Sequence, residues 1–377
     1  MDDLLIKDAL LADGSVLDIA VRHGKIVGLG RLDGPAQRTV RLGGRWRLSA
    51  GWIDGHVHCN PTSPIYHDEP DQVGVAGGVT TVVDAGSVGA DEVAAFRELA
   101  GGCRTDVRAL LNISRIGLAT QHELANLDDV DVTLAGAAIR AHRDFIVGIK
   151  ARLSGSVVGA NGVAPLARAK EIQRRFGPLP LMVHIGNTPP SLDEIAEWLE
   201  PGDIVTHCFN GKPNRILDAA GALRASVRAA IERGVLLDVG HGSASFSFRV
   251  AREAMALGVY PDTISSDIYC RNRVSGPVFG LAAVMSKFLS LGMPLTRVLD
   301  CVTRRPAEAL RLSGKGRLEV GADADLTIFD IETAPRPLSD SDGDRLTCVS
   351  HLTPLAAVAG GVLLPTEQGK ACHVFDL

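Results

Sequence analysis

The segment GWIDGHVHCN, residues 51–60, sets two histidines one residue apart at the end of an apolar run. A strand alternates its faces with period two, so His56 and His58 project to the same side. Two imidazoles on one face suit either hydrogen-bonded core side chains or the start of a metal site, and the pair alone does not choose. Further candidates end other apolar runs: Lys150 in FIVGIKARLSG, His184 in LMVHIGN, His207 in DIVTHCFNG and Asp267 in TISSDIY. Taken singly, each has an ordinary structural role open to it: a lysine running out along a strand end, a core histidine, a loop-capping aspartate.

These residues need elements that bring them together. Strand-like runs lie near 52–58, 79–85, 107–113, 145–150, 181–185, 203–208, 235–240 and 263–267. Segments such as ADEVAAFRELAG, DVTLAGAAIRAHRD and SLDEIAEWLEPG separate them, with apolar residues at helical spacing. Eight strands separated mostly by helices predict an α/β fold, a (β/α)8 TIM barrel, against the competing open doubly wound sheet. Polar residues gathered at the strand ends favour the barrel. Residues 3–43 and the tail from about 315 read instead as short strands between Gly, Asp and Pro turns. The expected organisation is a small β-sandwich domain built from both termini, residues 1–50 and 313–377, around a barrel at 51–312.

In a barrel the C-terminal strand ends meet at one mouth. Four imidazoles, one lysine and one carboxylate would then share a rim, a poor structural network and a good metal site. The lysine is the odd member, because an ammonium has no lone pair to offer a cation. Carboxylated by carbon dioxide, it becomes a carbamate whose two oxygens can bridge metals about 3.5–4 Å apart. His56, His58, Lys150 and Asp267 would hold the deeper ion, and His184, His207 and the second carbamate oxygen the outer one. Two divalent ions are expected, zinc first, with manganese, iron or cobalt also compatible. Four further residues at the mouth are candidate substrate contacts: His241 in DVGHGSASF, Arg152, Tyr66 and Asn210. Lys212 and Asn187 lie on loops at the same mouth. Cys59 and Cys208 adjoin expected ligands but alternate away from them and read as packing.

Composition narrows the class. The chain has 377 residues, 46% hydrophobic and 22% charged, enough to bury a large core. A net charge of −5 without a long basic run argues against a nucleic-acid partner. Seven scattered cysteines without CxxC do not form a secreted disulfide scaffold. With neither a signal-peptide pattern nor 18 consecutive apolar residues, no membrane partner is expected and the cytoplasm is the expected location. Self-association as a homo-oligomer is compatible with the chain, without a copy number.

The ordered set GWIDGHVH, GIKARLSG, LMVHIGN, DIVTHCFNG and TISSDIY, followed by GRLEVGADADLTIFD, resembles the amidohydrolase superfamily in its branch with a carboxylated lysine and a binuclear centre. The resemblance covers nearly the whole chain and implies metal-ligand roles for His56, His58, Lys150, His184, His207 and Asp267. The stretch from DIVTHCFNG through DVGHGSASFSF and FLSLGMPLTRVLDCVTRRPAEAL is similar to the amidohydrolase/deacetylase group labelled dihydroorotase-like. That resemblance implies hydrolysis of an amide or ester by metal-activated hydroxide, with an N-acyl amino acid or an acylated 2-hydroxy acid as small-molecule substrate. Asp267 would be the catalytic proton carrier. Dihydroorotases follow HxH with Leu-Arg, the arginine holding the substrate acid; here Cys59 and Asn60 stand there, which counts against cyclic-amide hydrolysis. A non-hydrolytic isomerase or lyase on the same barrel, and a catalytically silent relative, are the other readings.

Overall fold

A computed structural model describes residues 1–373 and 375. The other residues of the expected 313–377 segment, 374, 376 and 377, lie outside the described residues. The strands in chain order are β1 Asp2–Leu10, β2 Val16–Arg22, β3 Lys25–Gly30, β4 Ala36–Arg41, β5 Arg47–Ala50, β6 Trp52–Val57, β7 Val79–Ala85 and β8 Asp106–Asn112. They continue with β9 Ile146–Leu153, β10 Leu181–Ile185, β11 Ile204–Thr206, β12 Leu236–Leu237, β13 Leu326–Ser339, β14 Arg345–Ala359 and β15 Val362–Pro365.

Strands β6 to β12 form one parallel sheet in sequence order. Parallel strands covered on both faces read as continuous apolar runs, and all residues of β6 and β7 are buried. The connecting helices carry local signals. Asp131 caps the helix Val132–Ala141 by accepting from the Thr133 and Leu134 N–H groups. Ser191 and Glu194 form a capping box on Leu192–Trp198. Ile53, Val83, Leu110, Met182 and Ile204, one from each of five strands, cluster with Ala307, Leu310 and Leu312. On β6, β10 and β11 this apolar cluster lies two to three residues before His56, His184 and His207, and so forms a floor under them.

The eighth expected strand, 263–267, is not a named strand. Thr263 bridges Asp238 and Ile268 bridges Val57, both in parallel sense. The backbone bonds Val239 N–H to Thr263 O, Asp267 N–H to His56 O and His58 N–H to Ile268 O join this segment to both ends of the sheet. Its ladder is interrupted because the Ser266 N–H donates to the Asp54 carboxylate and the Gly240 N–H to the Ser265 hydroxyl instead of to strand carbonyls. Asp267 also takes a left-handed backbone conformation, φ 51°.

The second sheet runs β15-β14-β13-β5-β1-β2-β3, with β4 on β1. Strands from both ends of the chain therefore share one hydrogen-bonded path. Its core mixes Ile6, Ile19 and Val21 with Leu326, Ile328 and Val358. β13 and β14 form a long antiparallel hairpin whose far half leaves this sheet and passes the helix Leu281–Ser290, where the Ser286 hydroxyl accepts from Leu352 N–H. No described helix is long and apolar enough to cross a membrane.

Candidate metal centre

All six expected ligands line one cavity of about 230 Å³ at the C-terminal end of the parallel strands. Alternation explains most of them. His56 is the penultimate residue of β6, with His58 just beyond its end. In β9, Lys150 and Arg152 share a face, and in β10 His184 follows Met182 by two. His207 directly follows Thr206, which also faces inward, and so breaks the alternation. It does so with a left-handed φ of 66°. Such a conformation costs a non-glycine residue about 1–2 kcal/mol, and it recurs at Asp267.

The donor atoms converge without interposed groups. Asp267 Oδ1 lies 3.4 Å from His56 Nε2 and 3.3 Å from His58 Nε2. Lys150 Nζ lies 3.0 Å from His56 Nε2. His207 Nε2 lies 2.8 Å from His184 Nδ1. Ligand atoms of His56, His207 and Asp267 all fall within 4.8 Å of one another.

The far-side partner fixes the tautomer of two rings and takes up Nδ1 of a third. Thr206 Oγ1 donates to the Asp238 carboxylate at 2.7 Å and therefore accepts from His56 Nδ1–H at 2.9 Å. His207 Nδ1–H donates to the Gly240 carbonyl at 2.6 Å. His58 Nδ1 pairs with the Ser87 hydroxyl at 2.9 Å. In each case Nε2 is left facing the cavity. Carboxylate–hydroxyl–histidine chains of this kind orient metal-binding imidazoles. Gly240 and Gly242, both at positive φ, let the backbone come close behind the site. A β-carbon at 240 would lie 2.8 Å from His207 Nδ1, and one at 242 would lie 2.4 Å from Asp267 Oδ2.

Electrostatics keep these groups ready for a cation. Burial pushes His56 and His184 well below the usual histidine range, aided by Lys150 and His207 respectively. Burial brings His207 down to about 4. Three of the imidazoles are thus neutral at pH 7, as ligands must be. Burial also brings Lys150 down to about 7 against the opposing pull of Asp267 and Asp238, so a large share of its amine is uncharged. Burial alone would raise the Asp267 carboxyl. The surrounding imidazoles of His56, His58 and His207, with the hydrogen bond from His58, outweigh it and hold the group below the usual carboxylate range. A donor set of three neutral imidazoles, a partly uncharged buried amine and one ionised carboxylate fits divalent metal ions.

The expected substrate contacts divide. Arg152 and Tyr66 line the cavity. Arg152 is paired by Glu123 at 3.3 Å, and Tyr66 bonds Gln121. His241 does not reach the cavity. Its ring is buried, stacked on Phe246 at 4.6 Å, with Nε2 2.7 Å from Lys287 Nζ and Nδ1 2.9 Å from the Gly242 carbonyl. Asn210 is likewise absent from the cavity wall. Its amide is used within its own turn, donating to His207 O and accepting from Lys212 N–H. Cys59 and Cys208 are buried in the main core, as expected. Gln121, Tyr269 and Ser243 line the cavity without having been singled out. They lie on loops with no periodicity, and only their nearness to strand ends could have drawn attention to them. Lys212 and Asn187 also line it.

Relatives share this frame. A deacetylase from Enterococcus faecalis is 45% identical over 361 residues, covering 95% of this chain and 98% of its own length. A solved structure described as an adenine deaminase superposes with a TM-score of 0.96 at 44% identity, covering 97% of this chain and 100% of its own. Another, described as a dihydroorotase, gives 0.89 at 36%, covering 97% and 98%. Residues 318–364 match the model of a deacetylase-like composite domain. The chain is a member of the amidohydrolase superfamily, whose barrel enzymes these neighbours represent. Within that superfamily it belongs to the deacetylase and dihydroorotase-like group.

Proposed function

We propose that this protein is a binuclear metal-dependent hydrolase that removes an acyl group from a small carboxylate-bearing molecule, an N-acyl amino acid or an acylated 2-hydroxy acid. One observation carries the reading: six metal-type donors and two cations, Arg152 and Lys212, face the same small cavity. Zinc suits the nitrogen-rich set. The neutral Lys150 amine adds to carbon dioxide and loses a proton, giving the carbamate. His56, His58, Lys150 and Asp267 would hold one ion, and His184, His207 and Lys150 the other. When bound, such a pair supplies Lewis-acid polarisation and a water acidic enough to ionise near neutral pH.

The chain's own groups do the rest. Asp267, already ionised, takes the proton of the attacking water and returns it to the leaving nitrogen or oxygen as the carbonyl–heteroatom bond breaks. Arg152 and Lys212 orient the substrate carboxylate. The arginine shares its charge with buried Glu123, whereas among the described residues no hydrogen bond or ion pair engages the lysine ammonium. The cavity volume suits a small molecule and no nucleic acid. We read the bridges of segment 263–268 as closing a (β/α)8 barrel over residues 51–312, with the two-termini sheet of 1–50 and 313–377 as a sandwich-like companion. All seven cysteines are unpaired, which fits a reducing, cytoplasmic setting.

The test is a panel: zinc-loaded protein against D and L N-acetyl amino acids, O-acetyl 2-hydroxy acids and dihydroorotate. Acyl release from one of the first two classes is expected, with dihydroorotate turnover weak or absent. Asn60 is buried, bonded to Thr62, and is not on the cavity wall. Efficient dihydroorotate cleavage alone would overturn the reading and make Arg152 the anchor of a cyclic amide.

Loading should depend on pH in a defined direction. The uncharged fraction of Lys150 rises as pH passes about 7. At fixed dissolved carbon dioxide, carbamate-dependent metal uptake is expected to be roughly tenfold faster at pH 8 than at pH 6. A rate independent of pH, followed by metal analysis over time, would contradict the amine's role.

A further inference from the structure

The far end of the β13–β14 hairpin reaches the mouth of the cavity from outside the barrel. Its tip is bonded to the mouth more fully than packing alone requires. Asp340 is 2% exposed. Its Oδ1 accepts from Asp342 and Asp344 N–H, closing the turn, while Oδ2 accepts from Phe248 N–H at 2.9 Å. Ser341 N–H donates to Phe246 O at 2.9 Å. The Ser341 hydroxyl lies 3.0 Å from Gly242 O and 3.3 Å from His241 O. Asp342 packs so closely on Gly211 that a β-carbon there would fall 2.1 Å from its Oδ2, and its charge acts on the neighbouring Lys212.

The segment held in this way, 241–248, carries Ser243, Ala244 and Ser245 into the cavity wall, where the Ser243 hydroxyl meets Tyr269 OH at 3.2 Å. The imidazole and lysine donors of the candidate metal centre hang from β6, β9, β10 and β11 and make no bond to the tip. The hairpin therefore grips the wall around the substrate, and of the donors beneath it only Asp267, behind which Gly242 packs, lies against the gripped segment.

We propose that Asp340 and Ser341 are specificity-determining positioning residues, which fix the 241–248 wall beside Lys212 and so set how tightly the carboxylate-bearing substrate is held. This rests on the function proposed above. A tip of this kind acts on KM with little effect on kcat, because it stabilises ground state and transition state alike.

The test compares the parent with Asp340→Asn and Ser341→Ala, all zinc-loaded, on N-acetyl-alanine, O-acetyl-lactate and the neutral ester 4-nitrophenyl acetate. An amide offers one acceptor oxygen where the carboxylate offers two, so Asp340→Asn frees either Phe248 or the turn. Losing one buried charge-assisted bond should raise KM on whichever acid is turned over by about tenfold, with kcat within about threefold. Zinc content and 4-nitrophenyl acetate turnover should stay near parental values. Ser341→Ala, the milder change, covers the case in which Asp340→Asn does not fold, and should raise KM by about threefold. Amide hydrogen exchange across 241–248 should speed up in both variants while β9 is unchanged. Unchanged exchange, lost zinc, or a fall in kcat at constant KM would overturn the proposal. If the parent turns over neither acid, the functional reading falls, and the exchange measurement alone decides whether the tip holds the wall.

Discussion

Replacing Asp267 with asparagine is expected to lower amide turnover by at least about 10²-fold while most of the bound metal remains. The asparagine side chain keeps the size and one oxygen donor, yet it cannot accept a proton in the useful pH range. The surroundings of Asp267 make the substitution informative. Its Oδ1 touches His56 and His58, while Gly242 packs behind Oδ2, so the amide has little room to find new partners. The loss should be largest for amides, whose leaving nitrogen must be protonated, and smaller for activated esters. Fully metallated Asp267→Asn is to be compared with the parent on one N-acetyl amino acid and one activated ester. Near-parental amide turnover would remove Asp267 from the proton path, and His241, turned toward Lys287, offers no substitute.

Lys150→Met is expected to remove the bridging carbamate, take metal content from two ions toward one, and cut hydrolysis by at least about 10³-fold. Methionine matches the length of the lysine stem, and Met182 Sδ already lies 3.3 Å from Lys150 Nζ, so the space accepts a thioether. Metal-free stability should move the other way. Burial lowers Lys150 from 10.5 to about 7, so between those values the unfolded chain binds more protons than the folded one. The penalty on the folded parent is full below about pH 7 and fades as pH rises toward 10.5. Metal-free Lys150→Met should therefore melt higher than the parent below pH 7, with the gap closing at alkaline pH. Parental activity with two ions still bound would refute the carbamate. A variant destabilised at every pH would refute the buried-amine account.

How far the sequence carried depends on what each residue's position obeys. His56, His58, Lys150 and His184 follow strand alternation, and period-two reading places them at one mouth without knowledge of the fold's details. His207 and Asp267 reach the same mouth by left-handed backbone, which alternation does not predict. They were found because they end apolar runs. The eighth strand was misjudged for a related reason. TISSD has strand-like residues, but the Ser266 N–H is spent on the Asp54 carboxylate and the Gly240 N–H on the Ser265 hydroxyl, which leaves only isolated bridges to either side. His241 failed because the adjacent glycines suggested approach to substrate, whereas they allow approach to Asp267 and leave the imidazole to Lys287, 46 residues later. A pair so distant leaves no local mark. The hairpin tip at 340–344 was read only as part of the terminal sheet, since nothing in SDSDGD announces that it reaches the barrel mouth.

The central claim is a two-ion centre bridged through Lys150. The most direct measurement is the metal content of protein prepared with zinc and bicarbonate, together with the intact mass of the Lys150 peptide under conditions that preserve carbamates. Two ions per chain and a carboxylated Lys150 are expected. A single tightly bound ion beside an unmodified Lys150 would contradict the claim.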